Sequence, residues 1–188
     1  MKRQTDSEIK LYTLMILVEN TPGVLSQVAR LFSRKGYNIE SIVSGDTERE
    51  GITRITICIQ GDEAMIDLIA AQCRKLYSVL AVKVIDPDQS ILWETAMIKV
   101  ETPDRNTREE VIQMANIFRA KIIDVGSQTL IVSVMGSRSK TDALVSLLRP
   151  YGILEIAKTG NIAIERGRST IFDNNKIREE YDYGKDVL

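Results

Sequence analysis

The chain has 188 residues, which is room for one mid-sized domain or two small ones. Apolar residues make up 44% of it, enough for packed cores, so a mainly disordered chain is excluded. The formal net charge of −1 argues against a protein built to grip nucleic acid, and the absence of histidine removes Ser-His-Asp and Cys-His catalysis and makes a zinc site improbable.

Met1-Lys2-Arg3 ahead of an apolar run has the outline of a secretory signal. Polar residues intervene, however, and no small-residue cleavage site follows, so a cytoplasmic, soluble protein is expected. Residues 11–18, Leu-Tyr-Thr-Leu-Met-Ile-Leu-Val, are apolar and partly β-branched, too short to span a bilayer and suited to a buried strand. The run stops at Glu19-Asn20-Thr21-Pro22-Gly23. Val24, Leu25, Val28, Leu31 and Phe32 then recur at helical spacing until Gly36 closes the helix.

This junction carries the clearest chemistry in the sequence. Thr21 is expected to cap the helix and Pro22 to take its first position. Gly23 lacks a Cβ, so a ligand can approach the backbone. The amides of Gly23, Val24 and Leu25 would face an anion such as a carboxylate. Asn20 and Asn38 offer amide oxygens to an ammonium group, and the pair of features suits a free amino acid. The alternative is a tight strand-to-helix turn with no ligand.

Residues 37–45 read as a second strand, 46–51 as a charged turn, and 52–60 as a third strand in which Ile55, Ile57 and Ile59 alternate. Residues 62–76 are helical, with Met65, Leu68, Ile69 and Cys73 on one face. Residues 79–85 form a fourth strand, ended by Asp86-Pro87-Asp88. Strand, helix, strand, strand, helix, strand is the order of a ferredoxin-like sandwich. Cys58 and Cys73 make no disulfide framework and read as small buried apolar residues.

The second half repeats the plan. Ala96, Ile98 and Val100 alternate, a helix spans about 107–119, strands 121–125 and 129–135 form a hairpin, a helix covers 140–148, and 153–164 supply one or two closing strands broken near Gly160. This half has no Asn-x-Pro-Gly turn. Thr102-Pro103-Asp104 places a carboxylate where an anion would sit, so no equivalent site is expected. The fold class is therefore α+β, with two ferredoxin-like βαββαβ domains, at 8–86 and 91–167. The polar tail at 168–188 is expected to be mobile, with Ile171, Phe172, Tyr181 and Tyr183 as its sizeable apolar groups.

Glu19-Asn20-x-Pro22-Gly23-Val24-Leu25, with Leu31-Phe32-Ser33-Arg34-Lys35-Gly36-Tyr37-Asn38-Ile39-Glu40-Ser41, resembles the ACT domain of the small, regulatory subunit of acetolactate synthase. Gly61-Asp62-Glu63, Gln72-x-x-Lys75-Leu76 and residues 118–125, Phe-Arg-Ala-Lys-Ile-Ile-Asp-Val, are similar to the same family, and the likeness covers roughly residues 8–167. The resemblance implies a non-catalytic partner of a large catalytic subunit in valine, leucine and isoleucine biosynthesis. Thiamine diphosphate, magnesium and FAD would belong to that partner, with no cofactor and no metal in this chain. It also implies activation of the partner, feedback inhibition by a branched-chain amino acid (usually valine), and a homodimer joined through the ACT domains. Asn20, Gly23, Val24 and Leu25 would then hold the effector from one protomer, and Asn38 and Ile39 would line the site from the neighbour. No catalytic residue, nucleic-acid partner or membrane partner is expected. The alternative is a stand-alone ACT-type sensor serving a different enzyme.

Overall fold

The computed structural model describes residues 9–173. By its internal contacts the chain divides into two compact units, one running to Ile91 and resuming at Ala163, the other Leu92–Ile162.

The first unit opens with β1 (Lys10–Glu19), α1 (Val24–Arg34), β2 (Ile39–Asp46), β3 (Ile52–Gly61), α2 (Glu63–Cys73) and β4 (Val79–Val84). Its sheet has the order β2-β3-β1-β4, with β1 pairing antiparallel to both β3 and β4 and β2 antiparallel to β3. That order follows from βαββαβ connectivity, because each helix carries the chain over one intervening strand. β1 is a near-continuous apolar run because it is central and buried on both faces. Leu14, Ile16 and Val18 face the helices, where Val28 and Phe32 of α1 and Ile66, Ile69 and Cys73 of α2 complete the core.

The other face of this sheet carries Met15, Leu17 and Arg54, and the end of the chain returns to it. Arg54 Nη1 donates to the Ala163 carbonyl at 3.2 Å, and Lys83 Nζ donates to Glu165 Oε2 at 2.7 Å and to the Thr170 carbonyl at 3.2 Å. Ile171 is only 1% exposed, and the Arg49 guanidinium lies 3.8 Å from the centroid of the Phe172 ring. By their contacts, residues from Ala163 onward group with the first unit. The stretch 168–173 is a docked segment, because Ile171 gives it an apolar anchor that its polar neighbours conceal in the sequence. The expected mobility of the rest of the tail, with Tyr181 and Tyr183, lies outside the described residues, as do the start of the chain and residue 8.

The second unit holds most of β5 (Ser90–Glu101), then α3 (Arg105–Ile117), β6 (Lys121–Val125), β7 (Thr129–Gly136), α4 (Arg138–Leu148), a 3-10 turn (Arg149–Tyr151) and β8 (Ile153–Lys158). The sheet order β6-β7-β5-β8 repeats the first, and β9 (Ile162–Glu165) pairs β5. Ala96, Ile98, Val100, Leu130, Val132 and Val134 face Val111 and Ala115 of α3 and Leu144 and Leu148 of α4. The break near Gly160 separates β8 from β9, and Gly160 has a positive φ of 79°. No helix among the described residues is long and apolar enough to cross a membrane.

Candidate effector site at the head of the first helix

The four α-helices among the described residues begin differently. Asp62 accepts from the Met65 amide at 2.8 Å at the head of α2, Asp104 accepts from the Thr107 amide at 2.9 Å at the head of α3, and Ser137 accepts from the Lys140 amide at 3.4 Å at the head of α4. The head of α1 has no side-chain cap: its cap residue is Gly23, at φ 86° and ψ −3°. This corrects the assignment of Thr21 as cap and Pro22 as first helical residue. Both lie in the turn before it, where the Thr21 amide donates to the Glu19 carbonyl at 2.8 Å. The left-handed backbone is why glycine stands at 23, since a Cβ in that conformation clashes with the chain's own carbonyl. Around it the space is open, and an added Cβ would meet nothing within 4 Å.

The donors also differ in detail from those expected. The Val24 amide is directed to the Thr21 carbonyl at 3.3 Å, so it is partly engaged within the turn. The helical ladder starts with the Gln27 amide donating to Gly23 at 3.0 Å. The amides of Leu25 and Ser26 lie ahead of that bond and have no i−4 acceptor within the helix. The anion-seeking pole of the helix is therefore centred on Leu25 and Ser26, one residue later than expected, with the positive end of the helix dipole behind it.

Two backbone bonds hold this turn against the sheet. The Glu19 amide donates to Ser78 at 2.9 Å and the Asn20 amide to Gly51 at 2.7 Å. Beside the turn is a depression of about 580 Å³, walled by Asn20, Gly23, Leu25 and Ser26 on one side and by Ser44 and Asp46 on the other. Leu25 is 42% exposed and supplies an apolar wall. Asp46 is the functional candidate missed in the sequence, where it opens the charged stretch 46–51. In the structure it pairs with Thr53 at the end of β2, which puts its carboxylate across the depression from the helix head. The only signal for it was its register: Ile42, Ser44 and Asp46 alternate onto the face that carries the helices.

Asn20, Gly23, Val24 and Leu25 thus come together, but Asn38 and Ile39 do not join them within one chain. Ile39 pairs with Ile59 at one end of β2 and Asp46 with Thr53 at the other, seven strand steps apart, or roughly 23 Å at strand rise. Asn38 is exposed, and its Nδ2 donates to Glu40 Oε1 at 3.0 Å. Among the described residues β2 is an edge strand, hydrogen-bonded to β3 alone, and Ile42 near its middle is 41% exposed.

At the corresponding place in the second unit, Asp104 accepts from both the amide and the hydroxyl of Thr107, and its carboxyl is held below its ordinary value chiefly by the amide bond. The helix head that would attract an anion is filled by the chain's own carboxylate. Among the described residues no three His, Cys, Asp or Glu side chains gather as a metal cluster.

Residues 14–81 match the model of an ACT domain like that of the acetohydroxyacid synthase small subunit, and residues 93–167 match that of the small subunit of acetolactate synthase. The chain is 42% identical over 158 residues to the acetolactate synthase small subunit of Mycobacterium bovis, covering 84% of this chain and 94% of that protein. It is 37% identical over 169 residues to the acetolactate synthase small subunit of Aquifex aeolicus, covering 90% and 88% respectively. Among solved structures it is similar to the acetolactate synthase small subunit from Thermotoga maritima, at 39% identity and a TM-score of 0.78 over 85% of this chain and 99% of that one.

Proposed function

The chain belongs to the acetolactate synthase small-subunit family, and we propose that it acts as a non-catalytic regulatory subunit that activates a catalytic large subunit and makes it sensitive to a branched-chain amino acid. The observation that carries the effector reading is the uncapped head of α1 facing an open depression. The amides of Leu25 and Ser26 donate to the effector's carboxylate, and Asn20 and Asp46 accept from its ammonium group. Leu25 meets an apolar side chain. Valine is the effector we assign, with leucine and isoleucine as its near neighbours, because one methylene in an apolar pocket separates ligands by only ~1–3 kcal/mol.

A second copy completes this site. β2 has a free edge, and a two-fold antiparallel pairing of β2 with β2 centred near Ile42 and Val43 sets the partner copy's Ile39 beside Asp46. The same register brings the copy's Asn38 to the rim of the depression. One pairing thus supplies the missing apolar wall and amide, and it extends two four-stranded sheets into one of eight strands. A ligand held across the seam binds differently as the seam opens or closes, which is the differential affinity that allosteric coupling requires. Thiamine diphosphate, magnesium and FAD belong, in this reading, to the catalytic subunit.

The test is a steady-state assay of acetohydroxy acid formation by the catalytic subunit, alone and with this chain, across a valine titration. The chain is expected to raise the rate and to confer inhibition by valine. A rate and a valine response unchanged by the chain would overturn the proposal. The alternative, a sensor serving a different enzyme, would bind valine in a calorimetric titration yet leave the catalytic subunit unaffected.

A further inference from the structure

The groove between the two helices of the first unit is lined by charge of one sign. Arg30, Arg34, Lys35 and Lys75 rim a groove of about 390 Å³ between α1 and α2, with Leu31 and Leu76 as its apolar floor. The remaining wall is Gln27 and Gln72, and no carboxylate of the described residues lines it. The chain as a whole has 25 basic and 26 acidic residues, so this is a local choice.

Several cations of the second unit have partners: Arg105 pairs with Glu109, Arg138 with Asp142, Lys99 with Glu155 and Lys158 with Asp142. Among the described residues none of the four groove cations enters an ion pair within 4.0 Å of a carboxylate oxygen. α1 has no acidic residue, and Arg30 and Arg34 stand at i and i+4, a spacing at which like charges destabilise a helix. That unrelieved repulsion is removed when an anionic partner binds.

We propose that this groove receives an acidic segment of the catalytic subunit, an inference that rests on the regulatory-subunit reading above. Charge complementarity selects an acidic occupant. The form of the groove selects a peptide over a small anion: all four cations are exposed, so no desolvated anion cage exists, whereas Leu31 and Leu76 reward apolar side chains set between carboxylates. The groove also stays open when β2 edges pair. α1 crosses between β1 and β2 and α2 between β3 and β4, so the space between them lies over the middle of the sheet.

The experiment measures affinity of the full chain for the catalytic subunit at low and high salt, with Arg30→Glu/Arg34→Glu as the test variant. Arg105→Glu/Lys121→Glu, on exposed positions of the second unit, is the control with the same change in net charge. The test variant is expected to bind roughly tenfold more weakly at low salt and to show a flatter salt dependence, with the control near wild type. Valine binding by the test variant stays at wild-type strength, which reports an intact fold and effector site. Wild-type affinity and salt dependence in the test variant would overturn the groove assignment and leave the regulatory reading standing. Saturable binding of inorganic tripolyphosphate in the groove that leaves the catalytic subunit bound would overturn it in favour of a small-anion site. A wild-type chain that does not bind the catalytic subunit at all overturns the regulatory reading itself.

Discussion

Lys83 on β4 and Glu165 on β9 form an ion pair at 2.7 Å across 82 residues of chain, and both side chains are mostly buried. The pair marks where the returning chain docks on the face of the first sheet away from its helices. Six residues further on, Ile171 is 1% exposed. Ile171→Ala is expected to destabilise the first unit by about 2–4 kcal/mol, the usual cost of deleting a buried branched side chain. Urea unfolding followed by amide exchange of β1 checks this; a loss below about 0.5 kcal/mol, the scale of a surface substitution, would show that the segment contributes no core.

The positive φ of Gly23 separates two effects in a single substitution. Gly23→Asp places a carboxylate among the amides proposed to bind the effector, and it also forces a side chain into a left-handed backbone at a cost of about 1–2 kcal/mol. Gly167→Asp, at φ 69° with open space around it, carries the same kind of backbone strain away from the depression. Both variants are expected to lose a similar amount of stability. Gly23→Asp alone should lose sensitivity to valine, and equal half-inhibitory concentrations in the two would remove the helix head from the site.

The sequence made the element order legible because periodicity changes sharply in this chain. Two-residue alternation at Ile55, Ile57 and Ile59 gives way to helical spacing that runs through Ile69 and Cys73, although Ile66 is buried where Leu68 was expected and Leu68 is 45% exposed. What stayed hidden depended on tertiary position. Thr21 has good cap chemistry, but the turn spends its residues on bonds back to Glu19 and leaves capping to Gly23. Asp46 reads as part of a polar turn until its register with Thr53 sets it at the depression. Ile171 is an isolated apolar residue in a polar stretch, and no local pattern reports that a sheet face awaits it.

If the site is shared between copies, two defective chains can repair each other. Gly23→Asp spoils the helix head and Asn38→Ala spoils the β2 contribution, and each homodimer then has two damaged sites. A mixed dimer has one site with both defects and one with neither. Co-refolded mixtures are expected to recover valine binding at about half a site per chain within mixed dimers, because intact sites arise only across the seam. Calorimetric stoichiometry checks this. A mixture that binds no better than its components would show that Asn38 and the helix head serve no common site.

Asp104 gives a pH-dependent signal in the second unit. Its carboxyl is held below the ordinary 3.8 by accepting from the Thr107 amide, then from the Thr107 hydroxyl. A carboxylate with a depressed folded value stabilises the fold above its unfolded value, and that stabilisation is lost as pH falls through the folded value. The Thr107 amide resonance should therefore titrate with a midpoint below 3.8. A midpoint at or above that value would mean the cap is not formed. In Asp104→Asn the titration should vanish.

Cys73 is expected to be chemically silent in the folded chain. It sits in the core beside Ile66 and Ile69 on α2, fully buried, and burial pushes its thiol from 9.0 up to about 11 against a small opposing effect of the Arg74 charge. The thiolate is the nucleophile, so at mildly alkaline pH both access and ionisation are lacking. The sign of the linked stability follows. The folded value lies above the unfolded one, so the contribution of the neutral thiol is fully present below 9.0 and is lost as pH rises through about 11. Alkylation by iodoacetamide at pH ~8 should label Cys73 only after denaturant unfolds the first unit, with a rate that tracks the open population. Cys73→Ser would put a hydroxyl in an apolar core and is expected to cost roughly 1–3 kcal/mol. Rapid labelling of Cys73 under native conditions, mapped by peptide mass, would contradict its place in the core.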